Sequence, residues 1–349
     1  MARPRSRLTR FAVLCLTGAL ALWAAEWGVA EAHPGAMLLA AAPQATFALP
    51  SLVTLLLAGL HRNRAAALWS LGALALCLGP LMGLRVPAPR PPVPPDAPPL
   101  LRVMTFNVEK WSHGVPAVAR AIEAVGPDVV SLQEAGRYHW LTGPEHNPDA
   151  LARALPAYRF RRDGEIMVGS RLPVRAFRAH PLPPGPVERP ALEAVVEWQG
   201  RPVRVVSVHL IPIQFGEVLG DFRRGSLRHS RAVTAERLAQ RDALLAAVTE
   251  EGEDAAPLIL GGDFNAQPQS RLSRRLAGRW DNAFDRAGAG YGYTTLPSAV
   301  LPTARFDHVF VSRSLDVRRC WVPNVRASDH RPVVADIAVP PAEKERESW

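Results

Sequence analysis

Short apolar runs that each end in Asn, Asp, Glu or His recur through residues 101–339 of this chain. The clearest is Leu258-Ile259-Leu260-Gly261-Gly262-Asp263-Phe264-Asn265. A brief apolar run bounded by glycines reads as a buried strand. Side chains alternate along a strand with period two, so Asp263 and Asn265 fall on one side of it. A strand tip carrying an acid and an amide is how α/β enzymes commonly place oxygen ligands and hydrogen-bonding groups.

The same arrangement precedes and follows this run. Leu101–Val108 predicts a strand with Asn107 near its end and Glu109 two residues beyond Asn107. Val115–Val125 predicts an amphipathic helix, and Asp128–Leu132 a second strand followed by Gln133-Glu134. This strand–helix–strand spacing is that of a βα unit. Further strands are predicted at Ile166–Ser170, Ala191–Trp198, Val203–His209, Phe306–Val311, Val317–Trp321 and Val333–Val339, and a long helix at Ala232–Val248. Strands dominate with helices interspersed, which predicts an α/β or α+β fold with more than one sheet.

Asn107, Glu134, His209, Asp263, Asn265, Asp307, Asp329 and His330 all fall at ends of apolar strands. One such residue alone is ordinarily a turn former. Independent turn residues would not sample only Asn, Asp, Glu and His, which are ligands and proton shuttles. The set suits metal-assisted hydrolysis of a phosphate ester. Oxygen donors such as Glu134 suit a hard cation, Mg²⁺ or Mn²⁺. A His–Asp pair can activate water, and a second His can stabilise charge on the phosphate or leaving group. Zinc-type Cys/His spacing, a Gly-x-Ser-x-Gly elbow and a phosphate-cradling glycine loop are not found, which argues against zinc-hydrolase, serine-hydrolase and P-loop chemistry.

The first 84 residues are different in kind. Apolar stretches run from Phe11 to Ala30, from Gly35 to Leu60 with Pro43, Gln44 and Pro50 inside, and from Ala65 to Leu84. Each is near the ~20 residues that cross a hydrocarbon core, and the prolines predict a kinked or re-entrant second segment. Arg3, Arg5, Arg7 and Arg10 precede the first stretch and Arg62 and Arg64 separate the second and third. The positive-inside rule then puts the N-terminus and the Arg62 loop in the cytoplasm and the chain after the third span outside. The small-x-small run Ala30-Glu31-Ala32 also fits a signal-peptide cleavage site, and the polar domain faces the same way under that reading. The Pro-rich segment at 85–99 reads as a stiff spacer. Residues 100–339 form the polar domain and 340–349 a polar tail. Of the net charge of +9, residues 1–100 hold +5 (eight Arg, three acids), leaving +4 for the rest (33 basic, 29 acidic). The excess therefore lies in the apolar part and argues mildly against a nucleic-acid partner. The three cysteines, Cys15, Cys77 and Cys320, give no disulfide framework.

Thr105-Phe106-Asn107-Val108, Ser131-Leu132-Gln133-Glu134, His209-Leu210, Gly262-Asp263-Phe264-Asn265, Phe306-Asp307-His308-Val309 and Ser328-Asp329-His330-Arg331-Pro332 resemble, in order, the motifs of the endonuclease/exonuclease/phosphatase superfamily, the DNase-I-like fold. The resemblance implies a four-layer sandwich of two mixed β-sheets flanked by helices, here preceded by transmembrane helices. It implies that Glu134 is the main metal ligand, with Asn107 beside the metal or phosphate and Asp329 at or near the metal. Glu109 stands where nuclease relatives often carry an Asp ligand. His330 would be a base oriented by Asp307, with Asp263 the other acceptor for the water's proton. Asp263 and Asn265 would position water and phosphate, and His209 would stabilise charge on the scissile phosphate. Membrane-anchored bacterial members with three N-terminal spans are similar to the VanJ-type teicoplanin-resistance proteins, linked to polyprenyl-pyrophosphate lipids. This implies a multi-pass protein of the cell membrane, its catalytic domain extracytoplasmic, acting on a lipid phosphate or pyrophosphate. A surface nuclease on extracellular nucleic acid is the alternative, and a non-catalytic scaffold a third. No protein partner is implied. The apolar-then-basic loop Ile211–Arg224 reads either as a lid touching lipid or as a loop folded onto its own domain.

Overall fold

The computed structural model describes residues 6–29, 33, 35, 44–87, 98–141, 143–183, 189–213, 216, 220, 221, 223–225, 228–249, 256–295 and 304–340. These fall into two units. One comprises Met1–Arg85, Ile213–Thr234 and Gln267–Arg274, the other Val86–Pro212, Ala235–Ala266 and Arg275–Trp349. Two stretches of the expected catalytic domain thus group with the N-terminal helices.

In the first unit, α1 (Arg7–Gly28), α2 (Leu49–Leu60) and α3 (Arg64–Leu76) pack through small residues, with Ala12, Ala58 and Ala66 buried together. Small side chains let helix backbones approach closely. Ser6 caps α1 through Thr9 N, and Asn63 caps α3 through Ala66 N; Asn63 Nδ2 also donates to Ser6 Oγ at 2.7 Å, tying the two starts together. Two helices are long and apolar enough to cross a membrane, Arg7–Gly28 and Arg64–Leu81, the latter ending in a wider turn around Pro80. The second expected span is shorter. Its helix covers only Gln44–Leu60, and residues 36–43 lie outside the described residues. Most of the Pro-rich spacer (88–97) and of the polar tail (341–349) also lies outside them, as does part of the Ile211–Arg224 loop.

The second unit is built on two six-stranded mixed sheets. The first is ordered β11-β12-β1-β2-β4-β3 and the second β5-β6-β7-β8-β10-β9. Their strands are β1 (Leu101–Asn107), β2 (Val129–Gln133), β3 (Arg159–Asp163), β4 (Ile166–Ser170), β5 (Val174–His180), β6 (Ala191–Trp198), β7 (Arg201–His209), β8 (Leu258–Asp263), β9 (Asp281–Asn282), β10 (Asp307–Val311), β11 (Asp316–Trp321) and β12 (Val333–Ala338). β1–β2 and β7–β8 pair in parallel, and the other pairs are antiparallel. A parallel pair needs a long crossover. The helix α4 (Val115–Val125) makes the first; α5 (Ala150–Ala154) is a short helix between β2 and β3; and α6 (Arg228–Thr249) lies in the second crossover.

Period two decides what faces what. Val103, Val129, Val168, Val205, Ile259, Val309 and Ala335 share one core between the sheets. The alternate residues Met104, Phe106, Val130 and Leu132 pack outward with Val118 and Ile122 of α4. On the other side, outward Arg204 of β7 reaches Val248 O of α6 at 3.3 Å. Helix, sheet, sheet, helix is the expected four-layer order. Two glycines let the strands fit. A Cβ on Gly261 would lie 3.4 Å from Thr105 Cβ of the facing sheet, and one on Gly262 would lie 2.0 Å from Val208 O.

Candidate active site

Register brings the strand tips together. Asp263 at the end of β8 pairs with His209 at the end of β7 on one side and with Asp307 at the start of β10 on the other. Residues side by side in register share a face. The inward face of these strands carries Val205, Ile259 and Val309, so the three polar residues prolong the apolar core to one edge. Asn107 and Gln133 end β1 and β2 in the facing sheet, also in register. All five are buried.

Three contacts converge on Asp263 Oδ2. Asn107 Nδ2 donates to it at 3.1 Å, His209 Nε2 lies at 3.6 Å, and His330 Nε2 at 3.9 Å. Each imidazole is held from behind. His330 Nδ1 lies 2.8 Å from Asp307 Oδ2, and His209 Nδ1 lies 2.6 Å from Glu165 Oε1. An ionised carboxylate only accepts, so both Nδ1 atoms carry the hydrogen and both Nε2 atoms face Asp263.

The electrostatics follow from this. Burial alone would lower His330, but the charges of Asp307 and Asp263, with that of Asp329, push it up to about 10. Burial alone would raise Glu165, but the bond from His209 and the charges of His209, Arg189 and Lys110 hold it below the usual carboxylate range. Asp329 is raised by its own desolvation and by the Glu109 and Glu134 carboxylates.

The remaining expected residues form one edge of the cluster. Glu134, directly after β2, has a positive φ and accepts from Asn107 Nδ2 at 3.2 Å. Glu109, also at positive φ, donates its N–H to Asn107 Oδ1 and accepts from Asp329 N at 3.1 Å. Asn265, again at positive φ, donates its N–H to Asp263 Oδ1 at 2.8 Å and its Nδ2 to Leu210 O at 2.9 Å. The Asn265 side-chain amide therefore shapes the strand tip, and its backbone N–H is what reaches the cluster. Left-handed backbone at non-glycine residues costs of order 1–3 kcal/mol each and collects at functional sites.

Three residues that the strand-end pattern did not single out complete the cluster. Glu165 stands at the start of β4, not at the end of a strand. β4 runs antiparallel to β2, so its first residues share the edge with Glu134. Arg189 Nε lies 3.0 Å from Glu165 Oε1. Lys110 Nζ lies 3.7 Å from Glu134 Oε2; it is one of two lysines in an Arg-rich chain, a signal the sequence did offer.

The donor set fits a divalent cation. Among the described residues, the carboxylate and imidazole group whose ligand atoms lie within 4.8 Å of one another is Asp263, Asp307 and His330; the expected ligands Glu109, Glu134 and Asp329 are not drawn that close together. Asp307 Oδ1 is buried with no hydrogen-bond partner. The mutual repulsion that raises Asp329 beside Glu109 and Glu134 is charge that a hard cation offsets.

The sequence profile described as "Endonuclease/Exonuclease/phosphatase family" matches residues 104–330, which contain every one of these residues. The chain belongs to the endonuclease/exonuclease/phosphatase family. The family is one of phosphoesterases, and in this member the candidate residues gather at the tips of the two central parallel pairs. Solved structures agree on the fold. The endonuclease/exonuclease/phosphatase from Beutenbergia cavernae is 25% identical, with a TM-score of 0.53 over 70% of this chain and 73% of that one. The Bacteroides thetaiotaomicron mannosyl-6-phosphatase is 18% identical, TM-score 0.53, over 68% and 99%. TDP2 of D. rerio, complexed with a single-strand DNA product, is 17% identical, TM-score 0.54, over 68% and 99%. No curated protein matches the chain by sequence.

Proposed function

We propose that this family member is a membrane-anchored phosphohydrolase, dependent on a divalent cation, whose catalytic domain is extracytoplasmic. Its substrate is a phosphate ester or pyrophosphate of a lipid, polyprenyl-pyrophosphate-like in kind. The observation that carries the chemistry is the pair of carboxylate-held imidazoles facing one buried carboxylate. Two apolar helices of membrane-crossing length, flanked by arginines on the expected cytoplasmic side, support the location.

Each residue has a task its geometry supports. Asp263, held by the Asn265 N–H and by Asn107, positions a water in front of the phosphorus. The water's proton goes to Asp263, or to His330 Nε2 only in the fraction of molecules whose imidazole is neutral; in the rest His330 stands as an imidazolium stabilised by Asp307. His209, pinned by Glu165, donates to an oxygen of the phosphate as charge develops there. Glu134, with Asn107, Asp329 and Glu109 beside it, would hold Mg²⁺ or Mn²⁺, which supplies charge neutralisation at the phosphoryl oxygens when bound.

The test is a substrate panel for the detergent-solubilised chain: a polyprenyl pyrophosphate, a phosphodiester lipid and plasmid DNA, each with and without EDTA. Release of phosphate from the pyrophosphate lipid, lost with EDTA and in Glu134→Ala and His330→Ala, is the expected result. Plasmid nicking with no action on lipids would overturn the lipid assignment. Lipid hydrolysis unchanged in both variants would overturn the mechanism.

A further inference from the structure

Beside Arg331, the residue after His330, lies a cavity of about 570 Å³ that the chemistry above does not use. Tyr291 and Tyr293 stack along one wall, ring centroids 5.2 Å apart and planes 19° from parallel. Trp321 forms another wall, with the Arg319 guanidinium 4.3 Å above its ring. Among the described residues, no Asp or Glu lines the cavity. Among the described residues neither Arg319 nor Arg331 forms an ion pair, and Arg331 Nε is buried with no hydrogen-bond partner.

Other arginines of this unit face carboxylates: Arg102 pairs with Asp336, Arg204 with Glu193 and Arg305 with Asp285. The buried Arg331 Nε–H has lost water and gained no acceptor, while Arg319 remains open to solvent, so the pair offers donors to an incoming acceptor. A planar donor fork matches carboxylate and phosphate oxygens, and flat aromatic faces give apolar contact area to a ring or hydrocarbon. Cavities of this size that pair aromatic walls with a few converging polar groups hold small molecules.

The cavity is also wired to the catalytic cluster. Arg331 N donates to Thr294 O at 2.7 Å, and Thr294 Oγ1 accepts from Phe306 N at 3.1 Å and from Asp307 N at 3.3 Å. Thr295 pairs with His330 across an isolated bridge. His330 faces Asp307 and Asp263 while its neighbour Arg331 lines the cavity. We propose that this cavity is a second anion-binding site, separate from the catalytic cluster, for a phosphate- or carboxylate-bearing molecule with a planar or apolar portion. That chemistry can come from the far end of the substrate or from a separate small molecule.

The probe is phenylphosphonate, a flat ring on a phosphorus dianion with no ester bond to cleave. It is titrated calorimetrically into the full-length chain in detergent. Saturable binding is expected, retained in Glu134→Gln and weakened at least tenfold in Arg319→Glu and in Arg331→Gln. Arg319 is exposed, so its variant tests the site without disturbing the core. No saturable binding, equal affinity in Arg319→Glu, or loss of binding in Glu134→Gln would overturn the proposal. In a hydrolysis assay, an effect of the probe on KM alone, abolished by Arg319→Glu, assigns the cavity to the far end of the substrate. An effect on kcat, abolished by the same variant, assigns it to a separate molecule.

Discussion

Asp263 Oδ2 is the atom on which the site converges, and the residues behind it should matter as much as those in front. Glu165 touches no expected substrate position, yet it fixes the tautomer and direction of His209 at 2.6 Å. Glu165→Gln should lower kcat about 10–100-fold with little change in KM and an unchanged circular dichroism spectrum. His330→Ala should cost about 10²–10⁴-fold in kcat, read in the same assay. Gly262 has a sharper constraint. With Val208 O only 2.0 Å from where a Cβ would stand, Gly262→Ala must push β8 away from β7. A loss of about 3 kcal/mol or more is expected, visible as a lower thermal midpoint together with lost activity.

At the level of elements, the central strands and the edge strand β11 were legible in the sequence, and the edge strands β3 and β5 were not. Leu258–Asp263 and Asp307–Val311 are buried along their whole length, so they read as apolar runs. β3 and β5 are sheet edges, partly exposed along their lengths, and their Arg-Phe-Arg-Arg-Asp and Val-Arg-Ala-Phe-Arg-Ala-His sequences carry charges that keep an open edge from pairing with another chain. Charge suited to an edge removes the apolar signal that marks a strand. α4 stands at Val115–Val125 as its periodicity predicts, because one face meets sheet and the other water. The site divides in the same way. Residues at the ends of parallel-paired strands were visible one by one. Glu165 and Arg189 depend on an antiparallel neighbour and a loop, which no local pattern reveals. Gln133 shows what lies between the sheets: it accepts from Thr105 Oγ1 at 3.2 Å and donates to Ser207 Oγ at 3.0 Å. Gln133→Ala would leave both hydroxyls unpaired in a dry core. A loss of about 1–3 kcal/mol is expected in denaturant melts.

At the level of the whole molecule, stability should respond to acid through His308. Its Nε2 lies 2.8 Å from Ala266 O and its Nδ1 3.2 Å from Asn282 Nδ2, in a fully buried place. Desolvation, with the nearby Arg305 charge, lowers it from 6.5 to about 4. A histidine depressed by folding contributes stability that is fully present above its unfolded value. That stability drains as pH falls from about 6.5 toward 4, about 3 kcal/mol in all. Thermal midpoints between pH 7.5 and 4.5 should fall on the acid side, and His308→Gln should flatten that fall. Membrane topology is a property of the same scale: protease added to intact cells should reach residues 98–340 if the chain lies as proposed. One further consequence comes from how the pairs of the site are divided. His209 of the second sheet is held by Glu165 of the first, His330 beside the first by Asp307 of the second, and Asn107 of the first grips Asp263 of the second. Neither sheet owns half a reaction. A chain in which the two sheets are not docked lacks every one of these pairs, so the chemistry depends on the sheets being closed on one another.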